Sequence, residues 1–268
     1  MNTVPLVLKT KFHNALRVLA SHGVGRDHVQ LDGIALPAKH FRFGGSEFKD
    51  DAYFLASGRR EARRLVEKCG LTTESRILDI GCGVGRLPLG ILSEMKSPAE
   101  YSGVDVDTRS ITWCQRHIQR DHPRFHFERI NVLNQRYNPN GTKIDRGFHL
   151  PFADCSFDVI YLYSVFSHMM SDHIQAYLYE FRRLLVPGGQ AFFTAFVEEN
   201  VPDVTENPQG YKMNWNGALH CVRYQSDYFN SLIAQTGFRV RLFEYGQETD
   251  GQSALYLSSA VPDGNQRS

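Results

Sequence analysis

The stretch Arg76–Arg86, reading Arg-Ile-Leu-Asp-Ile-Gly-Cys-Gly-Val-Gly-Arg, limits what this chain can fold into more than any other. It opens as a short apolar run rich in branched side chains, the pattern of a buried strand. It ends in glycines at alternate positions, Gly81, Gly83 and Gly85, and a helical pattern then runs from Val84 to about Met95. A strand that turns sharply into a helix needs residues tolerant of unusual backbone angles, and glycine is the most tolerant. Missing side chains also let a ligand lie against the backbone, where the helix presents its free amide groups.

A dinucleotide fingerprint has the spacing Gly-x-Gly-x-x-Gly. Here the spacing is Gly-x-Gly-x-Gly, preceded by a carboxylate at Asp79. Residues 78–85 resemble the first motif of class I S-adenosylmethionine-dependent methyltransferases, close to Leu-Asp-x-Gly-Cys-Gly-x-Gly. The resemblance implies that Asp79, Gly81, Cys82, Gly83 and Gly85 border the cofactor.

The rest of the chain continues the alternation of strand and helix. Tyr101–Asp107 reads as a second strand ending in carboxylates. A carboxylate at such a strand tip accepts hydrogen bonds from both ribose hydroxyls, and the family's acidic ribose ligand maps onto Asp105, followed by Val106. Asp107 either shares the face of Asp105 or caps the next helix, where a carboxylate complements unpaired amides. Phe125–Ile130 alternates as a third strand and ends at Asn131-Val132. The family commonly has an Asp there to meet the adenine amino group. Asn131 is a departure, although an amide oxygen still accepts a hydrogen bond. Residues 133–150 read as a loop around Asn138-Pro139-Asn140-Gly141.

Leu150–Ile160 resembles the Leu-Pro-Phe-x-Asp-x-Ser-Phe-Asp segment that enters the fourth strand of many small-molecule methyltransferases. Ligands of open α/β sheets bind beyond the carboxyl ends of strands, so Ser164–Met169 should line the site of methyl transfer. Ser164 is a cofactor candidate. His168 is the catalytic candidate, because an unperturbed imidazole titrates near neutrality. It either takes a proton from the acceptor or only hydrogen-bonds nearby. Val186-Pro187-Gly188-Gly189 and the strand that follows complete the resemblance, which spans about 72–260.

Residues 197–224 show little periodicity, and a long loop in a compact domain is usually functional. They read as a substrate lid carrying Tyr211, Trp215, His220, Arg223 and Tyr224, or as a surface excursion with a small core of its own. Before the core, Leu6–Leu19 and Asp50–Cys69 read as helices, with Gly70 a C-cap. They form either a layer on the core or a lid from which Tyr53 and Arg59 reach the cofactor.

Charges nearly cancel, with 30 basic against 29 acidic side chains, which argues against a nucleic-acid or anionic-membrane surface. Cys69, Cys82, Cys114, Cys155 and Cys221 show neither zinc spacing nor short pairing, as in a reducing compartment. No stretch is long and apolar enough to span a bilayer. The expectation is a cytoplasmic monomer or homodimer without nucleic-acid or membrane partners. Its fold is α/β, a Rossmann-like, seven-stranded, mostly parallel sheet with helices on both faces, an antiparallel last strand and an N-terminal helical cap. Its divisions are a cap over 1–71, a methyltransferase core over 72–260 and a tail over 261–268. S-adenosyl-L-methionine is the expected cofactor and S-adenosyl-L-homocysteine its product. The expected reaction is direct in-line methyl displacement, without metal, onto a small-molecule hydroxyl or amine. The alternatives are a nicotinamide-dependent oxidoreductase and a cofactor-binding module without catalysis.

Overall fold

The central strands send alternate side chains into two separate cores. In β3 (Arg76–Ile80), Leu78 and Ile80 enter one core and Ile77 the other. The same alternation holds for Ile160 and Leu162 against Val159 and Tyr161 in β6 (Phe157–Leu162). It holds again for Leu255 and Leu257 against Ala254 and Tyr256 in β11 (Ser253–Ser259). Strands buried on both faces must be covered by helices on both sides, which fixes a three-layer α/β architecture.

The computed structural model describes residues 27–95, 97–145 and 147–259. The expected helix over Leu6–Leu19 and the tail over 261–268 lie outside them. The main sheet path runs β10-β11-β7-β6-β3-β4-β5. Strands β3, β4 (Glu100–Asp105), β5 (Phe125–Arg129), β6 and β7 (Leu185–Glu198) are mutually parallel. β11 pairs antiparallel with both β7 and β10 (Phe238–Glu244). The seven strands and their mixed edge match the expected Rossmann-like sheet.

Two additions were not legible as elements. β1 (His28–Leu31) and β2 (Ile34–Pro37) form a hairpin ahead of the first core helix. Within and at the end of residues 197–224, β8 (Val204–Glu206) pairs with β9 (Val222–Gln225), and β9 lies parallel beside the carboxyl end of β7. Strands of three or four residues are too short to display a period.

Helix α1 (Asp51–Cys69) packs as a layer on the sheet, burying Phe54, Leu55, Ala62 and Leu65 in the same core as Ile77, Tyr161 and Tyr256. It starts at the Asp50 cap, which accepts from Tyr53 N–H at 2.7 Å, and stops at left-handed Gly70. It crosses α2 (Arg86–Glu94) at Gly58 and Gly90, where a Cβ on Gly90 would lie 2.1 Å from the Gly58 carbonyl. Only glycine permits so close an approach of two backbones.

Helix α3 (Thr108–Cys114) runs on into a π-helical turn over Gln115–Gln119. From that turn Gln115 donates to the Phe127 carbonyl at 2.8 Å and Gln119 accepts the Phe127 N–H at 2.9 Å. These bonds occupy backbone groups of edge strand β5 that would otherwise invite another strand. Asp27 fastens the hairpin to the same helix, accepting from Arg116 at 2.8 Å and lying 3.1 Å from both His28 Nδ1 and His117 Nε2. Helices α4 (Ser171–Leu184) and α5 (Ser226–Gln235) cover the opposite face. No helix among the described residues is long and apolar enough to cross a membrane.

Candidate active site

The parallel strands end at one edge of the sheet, and the sequence motifs converge there. Gly81, Gly83 and Gly85 have φ of +76°, +51° and +78°, so the loop uses the left-handed region at every second residue. Gly81 and Cys82 both donate backbone N–H to the Val104 carbonyl, at 2.8 and 3.1 Å, which ties the loop to the tip of β4. Asp105 closes this tie. Its carboxylate accepts from Gly83 N–H at 2.8 Å and from Asp107 N–H at 2.8 Å. Burial pushes the Asp105 carboxyl above its ordinary value, opposed by these amides. Asp107 takes the capping role, accepting from Ser110 N–H at 3.1 Å at the start of α3.

The three glycines face different surroundings. A Cβ on Gly81 would lie 2.5 Å from Val165 Cγ2, and one on Gly85 would lie 2.6 Å from Ile118 Cδ1. A Cβ on Gly83 would meet no protein atom within 4 Å. The middle glycine therefore borders open space, flanked by packed neighbours and by the Asp105 carboxylate. This cradle suits an adenosine-bearing ligand laid against bare backbone.

Several expected contacts hold other places. Asp79 does not face the cradle. It is buried beneath the loop, accepts the Tyr101 hydroxyl, and is pushed up to about 7 by burial. Cys82 is likewise buried, and burial raises its thiol well above the ordinary range. Val106 is partly exposed beside Asp105. Asn131 is exposed, and its amide oxygen accepts from Asn138 Nδ2 at 3.2 Å within the 131–142 loop. The adjacent Val132 side chain is buried in the core. Tyr53 packs edge-on against Phe48, with centroids 5.4 Å apart. Arg59 is turned to the far end of α2, 3.1 Å from Ser93 Oγ and 3.5 Å from Glu94. The Arg59 assignment to the cofactor is corrected accordingly, because α2 points away from the glycine loop at that end.

At the tip of β6 the chain turns through Ser164, with φ of +58°. Ser164 N–H donates to Thr194 Oγ1 at 2.8 Å, and Ser164 Oγ accepts from Gln252 Nε2 at 2.9 Å. Thr194 donates in turn to Gln252 Oε1 at 2.7 Å. Gln252 is fully buried and completes this triangle from a turn 88 residues away in sequence. Its role has no local signal. Only the antiparallel return of β11 beside β7 brings it there.

His168 follows on a short 3-10 turn, three residues past the Val165 that abuts Gly81. Its Nδ1 lies 2.9 Å from the Leu219 carbonyl. A carbonyl only accepts, so Nδ1 carries the hydrogen and Nε2 presents its lone pair. Burial lowers the imidazole to about 4, with Arg136 and His220 adding repulsion. The expectation of titration near neutrality is therefore corrected: His168 is neutral throughout the physiological range.

The Leu219 contact places the 197–224 segment over the same end of the sheet. There Tyr211 donates to Glu198 at 2.6 Å, and Trp215 donates to the Tyr211 carbonyl at 2.7 Å. His220 accepts Asn216 N–H at 3.0 Å and packs edge-on against Trp215 at 5.2 Å. Arg223 lies over the Tyr211 ring at 5.0 Å with a buried, unpartnered Nε. Tyr224 is corrected from a substrate contact to a core residue. It is fully buried, and its hydroxyl is spent on the Met169 carbonyl at 2.5 Å. A separate open cleft of about 400 Å³, lined by Thr73, Ser97 and Phe125 among others, sits at the opposite edge, where strands begin.

Comparison with known proteins agrees with this geometry. The family described as "Methyltransferase domain" matches residues 78–191. The "O-methyltransferase rstn1" of Aspergillus nomiae is 25% identical over 218 residues, covering 81% of this chain and 87% of that protein. Among solved structures, Burkholderia thailandensis 1,6-didemethyltoxoflavin-N1-methyltransferase with bound S-adenosylhomocysteine has a TM-score of 0.51 at 14% identity. It covers 97% of this chain and 94% of its own. The [4+2]-cyclase SpnF has a TM-score of 0.55 at 16% identity, covering 93% of both chains. These two structural likenesses speak to fold alone, and the second shows that the fold also carries other chemistry. Residues 78–191 thus match a methyltransferase domain, and the first motif and strand order around them are similar to those of class I S-adenosylmethionine-dependent methyltransferases.

Proposed function

We propose that the protein transfers a methyl group from S-adenosylmethionine to an oxygen or nitrogen atom of a small organic molecule. The observation that carries this reading is the open space at Gly83 beside the Asp105 carboxylate, at the carboxyl edge of the sheet. The bound cofactor supplies a methyl group already activated by its sulfonium, which the acceptor takes by direct displacement. The protein's share of the work is therefore alignment and exclusion of water. Asp105 would accept from the ribose hydroxyls, and the bare backbone at Gly83 would give the ligand room. Ser164, held by Thr194 and Gln252, shapes the β6 side.

His168 acts on the acceptor. With its conjugate acid at about 4, it is a weak base but a constant hydrogen-bond acceptor at neutral pH. It orients an O–H or N–H through Nε2. Tyr211, Trp215, His220 and Arg223 form the lid side of the acceptor space. Oxygen is the favoured acceptor atom, since the relative matched over most of its length is named an O-methyltransferase. The test is a screen of small hydroxylated and amino compounds with methyl-labelled cofactor, reading label in the product. Transfer to a small molecule is the expected result. Label transferred only to protein or nucleic acid would reject it.

A further inference from the structure

Asp27, His28 and His117 stand together where the β1–β2 hairpin meets the π-helical turn, and nothing in the methyl-transfer reading uses them. One donor atom from each lies within 4.8 Å of the others, and among the described residues no other three His, Cys, Asp or Glu are so grouped. The Asp27 carboxylate sits between the two rings. Its Oδ1 is 3.1 Å from His28 Nδ1, and its Oδ2 is 3.1 Å from His117 Nε2. Ligand atoms around a tetrahedral zinc ion, with bonds of about 2.1 Å, stand about 3.4 Å apart. The carboxylate and each ring are therefore already near the spacing that such an ion needs.

The cluster is held from outside. The Asp27 carbonyl accepts from Ala38 N–H at 3.0 Å and from Trp113 Nε1 at 2.9 Å, which ties the Asp27 backbone both to the end of the hairpin and to α3. The His117 ring stacks on Trp113, with centroids 4.8 Å apart, and its side chain is 12% exposed. The His28 ring lies 4.9 Å from that of His117, and its side chain is 34% exposed, so one side of the cluster faces water. His117 projects from the π-turn, where Arg120 N–H reaches back five residues to the Gln115 carbonyl at 3.2 Å. Such wide turns are rare and are frequent at functional sites. The same helix backs the glycine loop. Cys114 Sγ donates to the Gly83 carbonyl at 3.4 Å, and Ile118 Cδ1 lies against Gly85.

The competitor for the carboxylate is Arg116, which donates to Asp27 Oδ2 at 2.8 Å. Its side chain is 58% exposed, so it can turn into water when a doubly charged ion takes its place. In each neutral imidazole the hydrogen directed at Asp27 can move to the other ring nitrogen, which leaves a lone pair for the ion. Two imidazoles and one carboxylate, with a position open to water, are a donor set for zinc. Calcium and magnesium take oxygen ligands instead.

We propose that Asp27, His28 and His117 bind one zinc ion, which clasps the β1–β2 hairpin to the helix behind the glycine loop. The test is calorimetric titration of the full chain, free of any polyhistidine tag, with zinc chloride, paired with thermal unfolding with and without zinc. One zinc per chain is expected, with a raised melting temperature, because an ion held only by the folded state stabilises it. His28→Ala and His117→Ala each remove a ligand and should weaken binding by more than about 10-fold, the least that loss of even a supporting residue costs at a metal site. Arg116→Gln keeps all three ligands and removes the competing cation. It should bind zinc about 2- to 5-fold more tightly, the size of an exposed ion pair, and it serves should a histidine variant fail to fold. Magnesium at the same concentration should give no saturable heat. The absence of saturable zinc binding, unchanged zinc affinity in both histidine variants, weaker binding by Arg116→Gln, or equal binding of magnesium would each overturn the inference. No arm contains S-adenosylmethionine, so the cofactor reading stands or falls separately.

Discussion

On the β4 side of the cleft, the proposed ligand cradle is made of backbone from one continuous stretch, residues 81–85, plus the single carboxylate of Asp105. On the β6 side, the walls come from segments far apart in the chain. Ser164 meets Thr194 and Gln252, and His168 meets Leu219. The first half is a backbone conformation, specified by glycines at fixed spacing. The second is an assembly of side chains, specified by topology. A cofactor common to a family suits the first kind of construction. An acceptor that differs from one member to the next suits the second, because side chains on loops change without disturbing the sheet.

The difference is open to tests of decreasing force. Gly83→Val should abolish S-adenosylhomocysteine binding, a loss of more than about 100-fold, with the circular dichroism spectrum retained. The added side chain meets no protein atom but fills ligand space and strains a φ of +51°. A folded variant with normal affinity would show that the cradle does not touch the ligand.

Asp79 should reveal itself through stability rather than binding. Its carboxyl is raised to about 7 in the folded protein, against 3.8 for an unperturbed group. The folded state therefore holds a proton that the unfolded chain releases, and stability should fall as pH rises from about 4 to 7. Asp79→Asn should remove roughly 4 kcal/mol of that pH dependence, measured by urea denaturation across the range. Parallel curves for variant and wild type would contradict the buried assignment.

Asp105→Ala should weaken cofactor binding by roughly 1.5–3 kcal/mol, because hydrogen bonds to a charged acceptor are lost. Part of that loss passes through the Gly83 amide that Asp105 holds. Titration of the variant at fixed pH gives the value, and an unchanged affinity would break the claimed link between β4 and the loop.

The smallest effect belongs to the β6 side. His168→Gln should slow methyl transfer by about 10-fold, with part of the change in KM and cofactor affinity unchanged. The wild-type rate should show no His168 step between pH 5.5 and 8, since the imidazole is already neutral there. A loss above about 100-fold, accompanied by a step near pH 6.5 that the variant lacks, would make His168 a general base instead.

The same contrast explains what could be read from the chain. The glycine loop, the Asp107 cap and the Gly70 stop were legible because each depends on residues within a few positions of one another, whereas Asp105, 22 residues from the Gly83 amide it holds, was placed by the family resemblance. Gln252 was not legible, because its meaning lies in partners brought by sheet order. Tyr224 looked like its lid neighbours in sequence. It became a core residue once β9 joined β7, since a paired strand turns alternate side chains inward. Arg59 misled for a related reason. Helix α1 does run past the site, but Gly58 and Gly90 lock it at a crossing that directs Arg59 toward Glu94.

The central claim is that the cradle at residues 81–85 with Asp105 takes an adenosyl amino acid. Calorimetric titration of the wild-type protein with S-adenosylhomocysteine, set beside the same titration with NADH, tests it most directly. The account predicts binding of one S-adenosylhomocysteine per chain and none of NADH. Saturable binding of NADH without binding of S-adenosylhomocysteine would contradict it.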